Sequence, residues 1–171
     1  MSKRHPPTAL DVYLMDMLRA SQAGAQHSAL ALALALPDIC ASIEYPNEPK
    51  VGVRYRNWCN EWAKLVSVAG ADCYALRCAY LHSGSDEFSG PSAAQAIFER
   101  IEFTLGQVGG VWVSQALPPS SPGAKQTARI PVETFCRDIA TSADAWRRAR
   151  QSDPRVVERL ASLMWMRPAS Q

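Results

Sequence analysis

Ser28-Ala-Leu-Ala-Leu-Ala-Leu-Ala-Leu36 alternates strictly between small and large apolar side chains. That period fits a half-buried strand. Alanine and leucine are nonetheless the best helix formers, and the run continues to about Ile43, long for a strand. The stretch is therefore read as a buried helix, with Pro37 kinking it or starting a new turn. Upstream, Leu10, Tyr13, Leu14, Met17 and Leu18 recur at helical spacing up to Gly24, giving an amphipathic first helix. Downstream, Tyr45-Pro-Asn-Glu-Pro49 reads as a loop. Tyr55, Trp58, Trp62 and Leu65 then mark a third helix that leaves through Val66 to Gly70.

A fourth helix is expected over about Ala71 to Leu81, with Gly84 just past its end as a left-handed cap, and Ser83 to Ser92 as loop. Phe98 to Leu105 alternates as a strand, and Gly109-Gly110 before Val111-Trp-Val113 suggests a hairpin. Residues 117–127, which carry Pro118-Pro-Ser-Ser-Pro-Gly123, read as a mobile loop. A fifth helix follows from about Pro131, marked by Val132, Phe135, Ile139 and Trp146. Asp153-Pro154 then opens a last helix through about Met164. The expected fold is mainly α, one domain over 8–165, with a small β-hairpin insertion before the last two helices and flexible tails at 1–7 and 166–171.

Composition bounds the function. A chain of 171 residues, 47% hydrophobic and 20% charged, is that of one globular domain. A net charge of +2 is too small to coat a polyanion by bulk charge, so nucleic-acid binding would need a local patch. No apolar run is read as reaching the roughly 18 residues of a membrane span, and no secretory core follows the charged N-terminus. Five cysteines (Cys40, Cys59, Cys73, Cys78, Cys136) sit in apolar segments without a C-x-x-C pair. They are read as reduced core thiols in a cytoplasmic protein. His5, His27 and His82 are far apart, so no metal or cofactor is expected. P-loop, Rossmann, zincin and α/β-hydrolase motifs are all missing.

The chemistry-bearing stretch is Asp72-Cys-Tyr-Ala-Leu-Arg77-Cys-Ala-Tyr-Leu-His82-Ser-Gly84. As a bare spacing, an Arg five places before a His is weak: 14 Arg and 3 His produce one by chance in roughly one such chain in four. Its surroundings say more, because a cation in so apolar a helix needs a partner or an anionic ligand. His can act as base or acid near neutrality, and Arg offers a charged fork to phosphate oxygens. Five residues turn an ideal helix through about 500°, leaving the side chains about 140° apart. A shared site is then expected only if the helix unwinds near His82 or a second subunit brings its own pair.

With these residues, the chain resembles the HEPN superfamily of compact helical domains, many of them metal-independent endoribonucleases of toxin–antitoxin and phage-defence systems. The superfamily's R-x4–6-H motif reads here Arg77-Cys-Ala-Tyr-Leu-His82. Leu36-Pro-Asp-Ile-Cys40 and Asp72-Cys-Tyr-Ala-Leu76 look like an uncharacterised bacterial branch. The resemblance implies a HEPN-like helical bundle and Arg77 and His82 as catalytic residues. It further implies a homodimer with a composite cleft, an RNA substrate cut by 2′-hydroxyl attack, and an antitoxin or defence-system partner. Active members often carry Asn, Asp or His after the Arg, where this chain has Cys78. That departure supports the alternative, an inactive HEPN-like module binding RNA, nucleotide or protein; a purely structural helical dimer is a third reading.

Four residues near the motif are candidates for substrate contact or support. Asp38 caps the turn after Pro37 or pairs with a core cation, for which Arg77 is the candidate. Tyr80 stacks on a base or packs in the core. Cys78 and Ser83 flank the motif residues. Tyr55, Trp58 and Trp62 read as core or interface. Arg147, Arg148, Arg150, Arg155 and Arg159 form a basic cluster, either a solvated face or an RNA track, and Asp86 and Glu87 read as solvated loop.

Overall fold

The computed structural model describes residues 8–64, 68–106, 115–117 and 125–166. Helices dominate: α1 (Ala9–Gln22), α2 (Gln26–Glu44), α3 (Val51–Glu61) and α4 (Gly70–Ser83) precede three strands, and α5 (Val132–Ala149) and α6 (Pro154–Ala161) follow them. A capping box starts α1, where Thr8 and Asp11 each receive the other's backbone N–H, and Asp153 caps α6 through the N–H of Arg155.

The Ala-Leu alternation folds as a helix. Ala29, Leu30, Ala33, Leu34, Leu36, Cys40 and Ala41 are buried, two adjacent stripes of 3.6 period rather than one face of period 2. The helix runs unbroken through Pro37. Proline cannot donate to the carbonyl of Ala33, and close to that gap the hydroxyl of Tyr55 donates to the Leu34 carbonyl at 3.1 Å. Because α2 does not break, it reaches 19 residues with a mean hydropathy of 1.2, enough to cross a bilayer by length and composition. This corrects the expectation that no run is so long. Packing explains its apolarity: α1, α3, α4, α5 and α6 all contact α2, which is the core helix.

The β element differs from the expected hairpin. β1 (Phe98–Thr104) pairs in parallel with β3 (Gln126–Pro131), and β2 (Gln115–Leu117) pairs antiparallel on the other edge of β3. Val111 to Val113 lie outside the described residues. Parallel register sets buried Ile101 beside buried Ala128 and half-buried Phe103 beside buried Ile130. Phe103 then meets Phe135 of α5 edge-on at 5.5 Å. Both ends of the expected 117–127 loop are ordered: Leu117 closes β2, Gln126 and Thr127 open β3, and Lys125 Nζ donates to the carbonyls of Ala93 and Ala96. Residues 118–124 lie outside the described set.

Two devices position α4. Gly70 and Gly52 let α3 approach it: a Cβ at Gly70 would meet the Arg56 carbonyl at 2.5 Å, and one at Gly52 would meet the Tyr74 ring at 2.8 Å. Asp72, fully buried, accepts from the backbone N–H groups of Ile97 (2.6 Å) and Phe98 (3.0 Å), tying α4 to the start of β1. Gly84, at φ +64°, caps α4 as expected.

Candidate functional site

Arg77 and His82 meet within one chain. Arg77 Nη1 lies 3.2 Å from His82 Nε2, and α4 stays helical through Ser83. This corrects the expectation that they meet only across an unwound turn or a subunit boundary. The wheel angle describes Cβ directions alone. The long arginine side chain carries its guanidinium across the roughly 7.5 Å of axial rise between the two residues.

Arg77 is anchored from the opposite side. Its Nη2 donates to Asp38 Oδ2 at 3.1 Å, and Arg54 Nη2 of α3 lies 3.5 Å from Asp38 Oδ1. The expected Asp38–Arg77 pair is thus present, with a second cation that the sequence reading did not single out. The side chains of Asp38, Arg54 and Arg77 are each 20–23% exposed, mostly covered but still open to solvent. His82 is exposed. Guanidinium groups only donate, so the contact requires the lone pair of His82 at Nε2 and places its proton on Nδ1.

Tyr74, Cys78 and Leu81 share the face of α4 that lies, by helical angle, between Arg77 and His82, and all are at least partly open to solvent. The Tyr74 ring lies against Gly52 with the Arg56 guanidinium 5.5 Å from its centroid, a cation–π arrangement. Burial and the neighbouring Cys78 side chain push the Tyr74 hydroxyl above its usual range. Tyr80 points elsewhere: its hydroxyl lies 2.8 Å from His27 Nδ1, and the two rings stack in parallel with centroids 6.2 Å apart. Ser83 is the exposed last residue of α4.

The remaining candidates resolve into structure. Tyr55 and Trp58 are fully buried, and Trp62 packs at the core edge under the Arg150 guanidinium. Arg147 pairs with Asp11 and Asp144, Arg148 with Asp144, Arg150 with Glu44 and Glu61, and Arg155 with Asp153; Arg159 donates to the Ile43 carbonyl. Arg147, Arg150 and Arg159 thus tie α5 and α6 to their neighbours, while Arg148 and Arg155 pair locally and stay exposed. Asp86 and Glu87 both pair with Arg100. Cys40, Cys59, Cys73 and Cys136 are buried free thiols; burial pushes Cys40 and Cys59 up and Cys136 up to about 12, so thiolate chemistry is suppressed there.

An open cavity of about 710 Å³ lies away from α4, between the end of α2 and the α5–α6 turn, lined among others by Tyr45, Pro46, Val156 and Arg159. Its three arginines face Glu44, Glu48 and Asp153, so no net charge draws an anion into it. The Asp38 cluster differs, with two guanidiniums on one carboxylate. Sequence reasoning missed Arg54 and Tyr74 as site residues. The available signal was local: Arg54 and Arg56 bracket the core residue Tyr55, and Tyr74 precedes Cys78 by one helical turn. Set against protein-family models, curated proteins and solved structures, the chain matches none of them.

Proposed function

We propose that this chain is a HEPN-type endoribonuclease that needs no metal, cutting single-stranded or looped RNA into 2′,3′-cyclic phosphate and 5′-hydroxyl ends. The observation that carries it is the Arg77–His82 contact at 3.2 Å, buttressed by Asp38. A phosphate oxygen is a better acceptor for a guanidinium than a neutral imidazole. Substrate would draw Arg77 onto the non-bridging oxygens and free Nε2 of His82 for proton transfer. The 2′-oxygen attacks phosphorus as its proton passes to a base; the 5′-oxygen leaves as an acid protonates it.

A single imidazole does not serve as base and acid in the same step. A second copy's His82 completes the pair, which is the ground for proposing a homodimer across the Tyr74–Cys78–Leu81 face of α4. The cellular setting that fits such an enzyme is cytoplasmic phage defence or a toxin–antitoxin pair, with an antitoxin or defence-system protein as partner. The second reading is a non-catalytic module binding RNA, nucleotide or protein. It draws on the fact that Arg77 and His82 satisfy one another in the ligand-free chain. A labelled RNA pool incubated with wild type, Arg77→Ala and His82→Ala separates them. Cleavage lost in both variants supports the nuclease; wild type that binds RNA without cutting it supports the module.

A further inference from the structure

Arg54 and Arg77 reach one carboxylate from different helices. Arg54 of α3 approaches Oδ1 of Asp38 and Arg77 of α4 binds Oδ2, so the two guanidiniums converge on the turn after Pro37. Among the described residues Asp38 is the sole carboxylate in salt-bridge contact with either arginine. The cluster therefore carries one uncompensated positive charge while His82 is neutral, and Arg56 stands nearby over Tyr74. A phosphodiester carries one negative charge.

The two contacts are unequal. Arg77 to Asp38 is 3.1 Å, whereas the Arg54 contact is 3.5 Å, long against the 2.7–2.9 Å common for charge-assisted hydrogen bonds. Nε of each arginine lacks an acceptor. Arg54 is thus the guanidinium with least to lose by turning to a new oxyanion. Gly52, two residues before it, admits the Tyr74 ring, so the start of α3 carries both the loosely held cation and the contact to the aromatic rim.

We propose that Arg54 joins Arg77 in a two-guanidinium clamp on a single RNA phosphodiester, with Asp38 as the positioning residue that keeps the pair convergent. The inference rests on the RNA reading above and extends it to a residue outside the Arg77–His82 motif. Arg54 supplies binding; proton transfer stays with His82.

The test is fluorescence anisotropy with a labelled 2′-O-methyl single-stranded oligoribonucleotide, which binds but offers no 2′-hydroxyl for attack. Full-length wild type, Arg54→Ala and Arg54→Lys are titrated over a salt series, with circular dichroism and melting confirming the fold of each. Arg54→Ala should weaken binding about 5–10-fold and flatten the plot of log K against log salt by about 0.7, one phosphate contact for a single strand. Arg54→Lys should keep the slope and lose part of the affinity, because it retains charge without the fork. A wild-type slope in Arg54→Ala, or no binding by wild type, overturns the clamp. Displacement by inorganic phosphate at constant ionic strength would mark a free-phosphate site and overturn the diester assignment. Cleavage assays keep the two proposals apart. Cutting with unchanged KM in Arg54→Ala sinks the clamp and leaves the nuclease; Arg54-dependent binding without any cutting does the reverse.

Discussion

Arg77 donates to Nε2 of His82 at 3.2 Å, which holds the imidazole as the tautomer protonated on Nδ1. Above the pH at which histidine is neutral, nitrogen-15 NMR of the free protein should show a pyridine-type Nε2 and a pyrrole-type Nδ1 for His82. Arg77→Ala removes the donor and should shift the population toward the Nε2-protonated form. An unchanged tautomer ratio in the variant would mean the contact is not made in solution.

In the proposed reading Cys78 occupies the place after the motif arginine where active HEPN members carry a polar residue, and it neighbours the Tyr74 hydroxyl, whose pKa it helps to raise. Cys78→Ser keeps a small donor there, so RNA cleavage should stay within a few-fold with slightly lower stability. A strong rise in rate in Cys78→Asn would show that this chain is attenuated at that position.

A composite site of the kind proposed would make activity depend on concentration. Specific activity should fall with the dimer fraction as the protein is diluted through its dissociation constant, followed by analytical ultracentrifugation beside a cleavage assay. Full activity from a strictly monomeric species sinks the dimer.

Glu44 links α2 to α5 by accepting from Trp146 Nε1 at 2.8 Å and from Arg150 at 2.6 Å. Partial burial raises its pKa, and the Arg150 and Trp146 hydrogen bonds outweigh that, leaving it below the ordinary glutamate value. The folded value is the lower one. Its stabilisation is therefore present above the unfolded pKa, near 4.3, and is lost as pH falls through the folded value. Urea unfolding should show Glu44→Gln less stable by about 1–3 kcal/mol at pH 7, with the difference closing at the acid end. A pH-independent difference would assign the effect to packing instead.

The helices were legible because their signals are local: the buried stripes of α2 and α5, Gly84 after α4, and Asp153-Pro154 before α6 all follow from spacing and cap chemistry. The sheet partner was not. β1 pairs with a strand that begins 28 residues after its own start, and the parallel choice is made by burial under α5, which alternation in β1 alone does not encode. The same limit applies to the site. Asp38 and Arg77 are 39 residues apart, and only the charge of each in an apolar helix hints at their pairing; for Arg54 the local signal, two arginines bracketing buried Tyr55, does not say that either of them reaches Asp38. The Arg77–His82 contact was misjudged for a different reason: helical angle fixes where a side chain starts, and arginine is long enough to end elsewhere.

Asp72 offers a stability test independent of function. Asp72→Ala strips the acceptor from the N–H groups of Ile97 and Phe98, Phe98 itself being buried. At about 1–3 kcal/mol for an orphaned buried donor, the loss should be roughly 2–4 kcal/mol. Asp72→Asn retains an acceptor oxygen and should cost less. Equal losses in the two variants would show that packing, not the hydrogen bonds, fixes the α4–β1 junction.

The chemistry itself is tested by subtraction. His82→Ala would remove the proposed proton-transfer group, and general acid–base catalysis commonly supplies about 10²–10⁴-fold in rate. Arg77→Ala would remove the proposed charge stabilisation of the pentavalent phosphate, for which a comparable donor is worth roughly 10²–10³-fold. Because the two residues touch and, in the proposed mechanism, act in one step, the double variant should be little worse than the worse single one. Activity should also survive EDTA, since an imidazole and a guanidinium supply proton transfer and charge without a metal. The measurement is single-turnover cleavage of a labelled RNA by wild type, both single variants and the double variant, with and without chelator, on proteins of verified fold. Losses that multiply would mean that Arg77 and His82 serve separate steps. Cleavage unaffected by either substitution would remove the catalytic assignment. Cleavage abolished by EDTA and restored by Mg²⁺ would keep RNA as substrate and replace the mechanism.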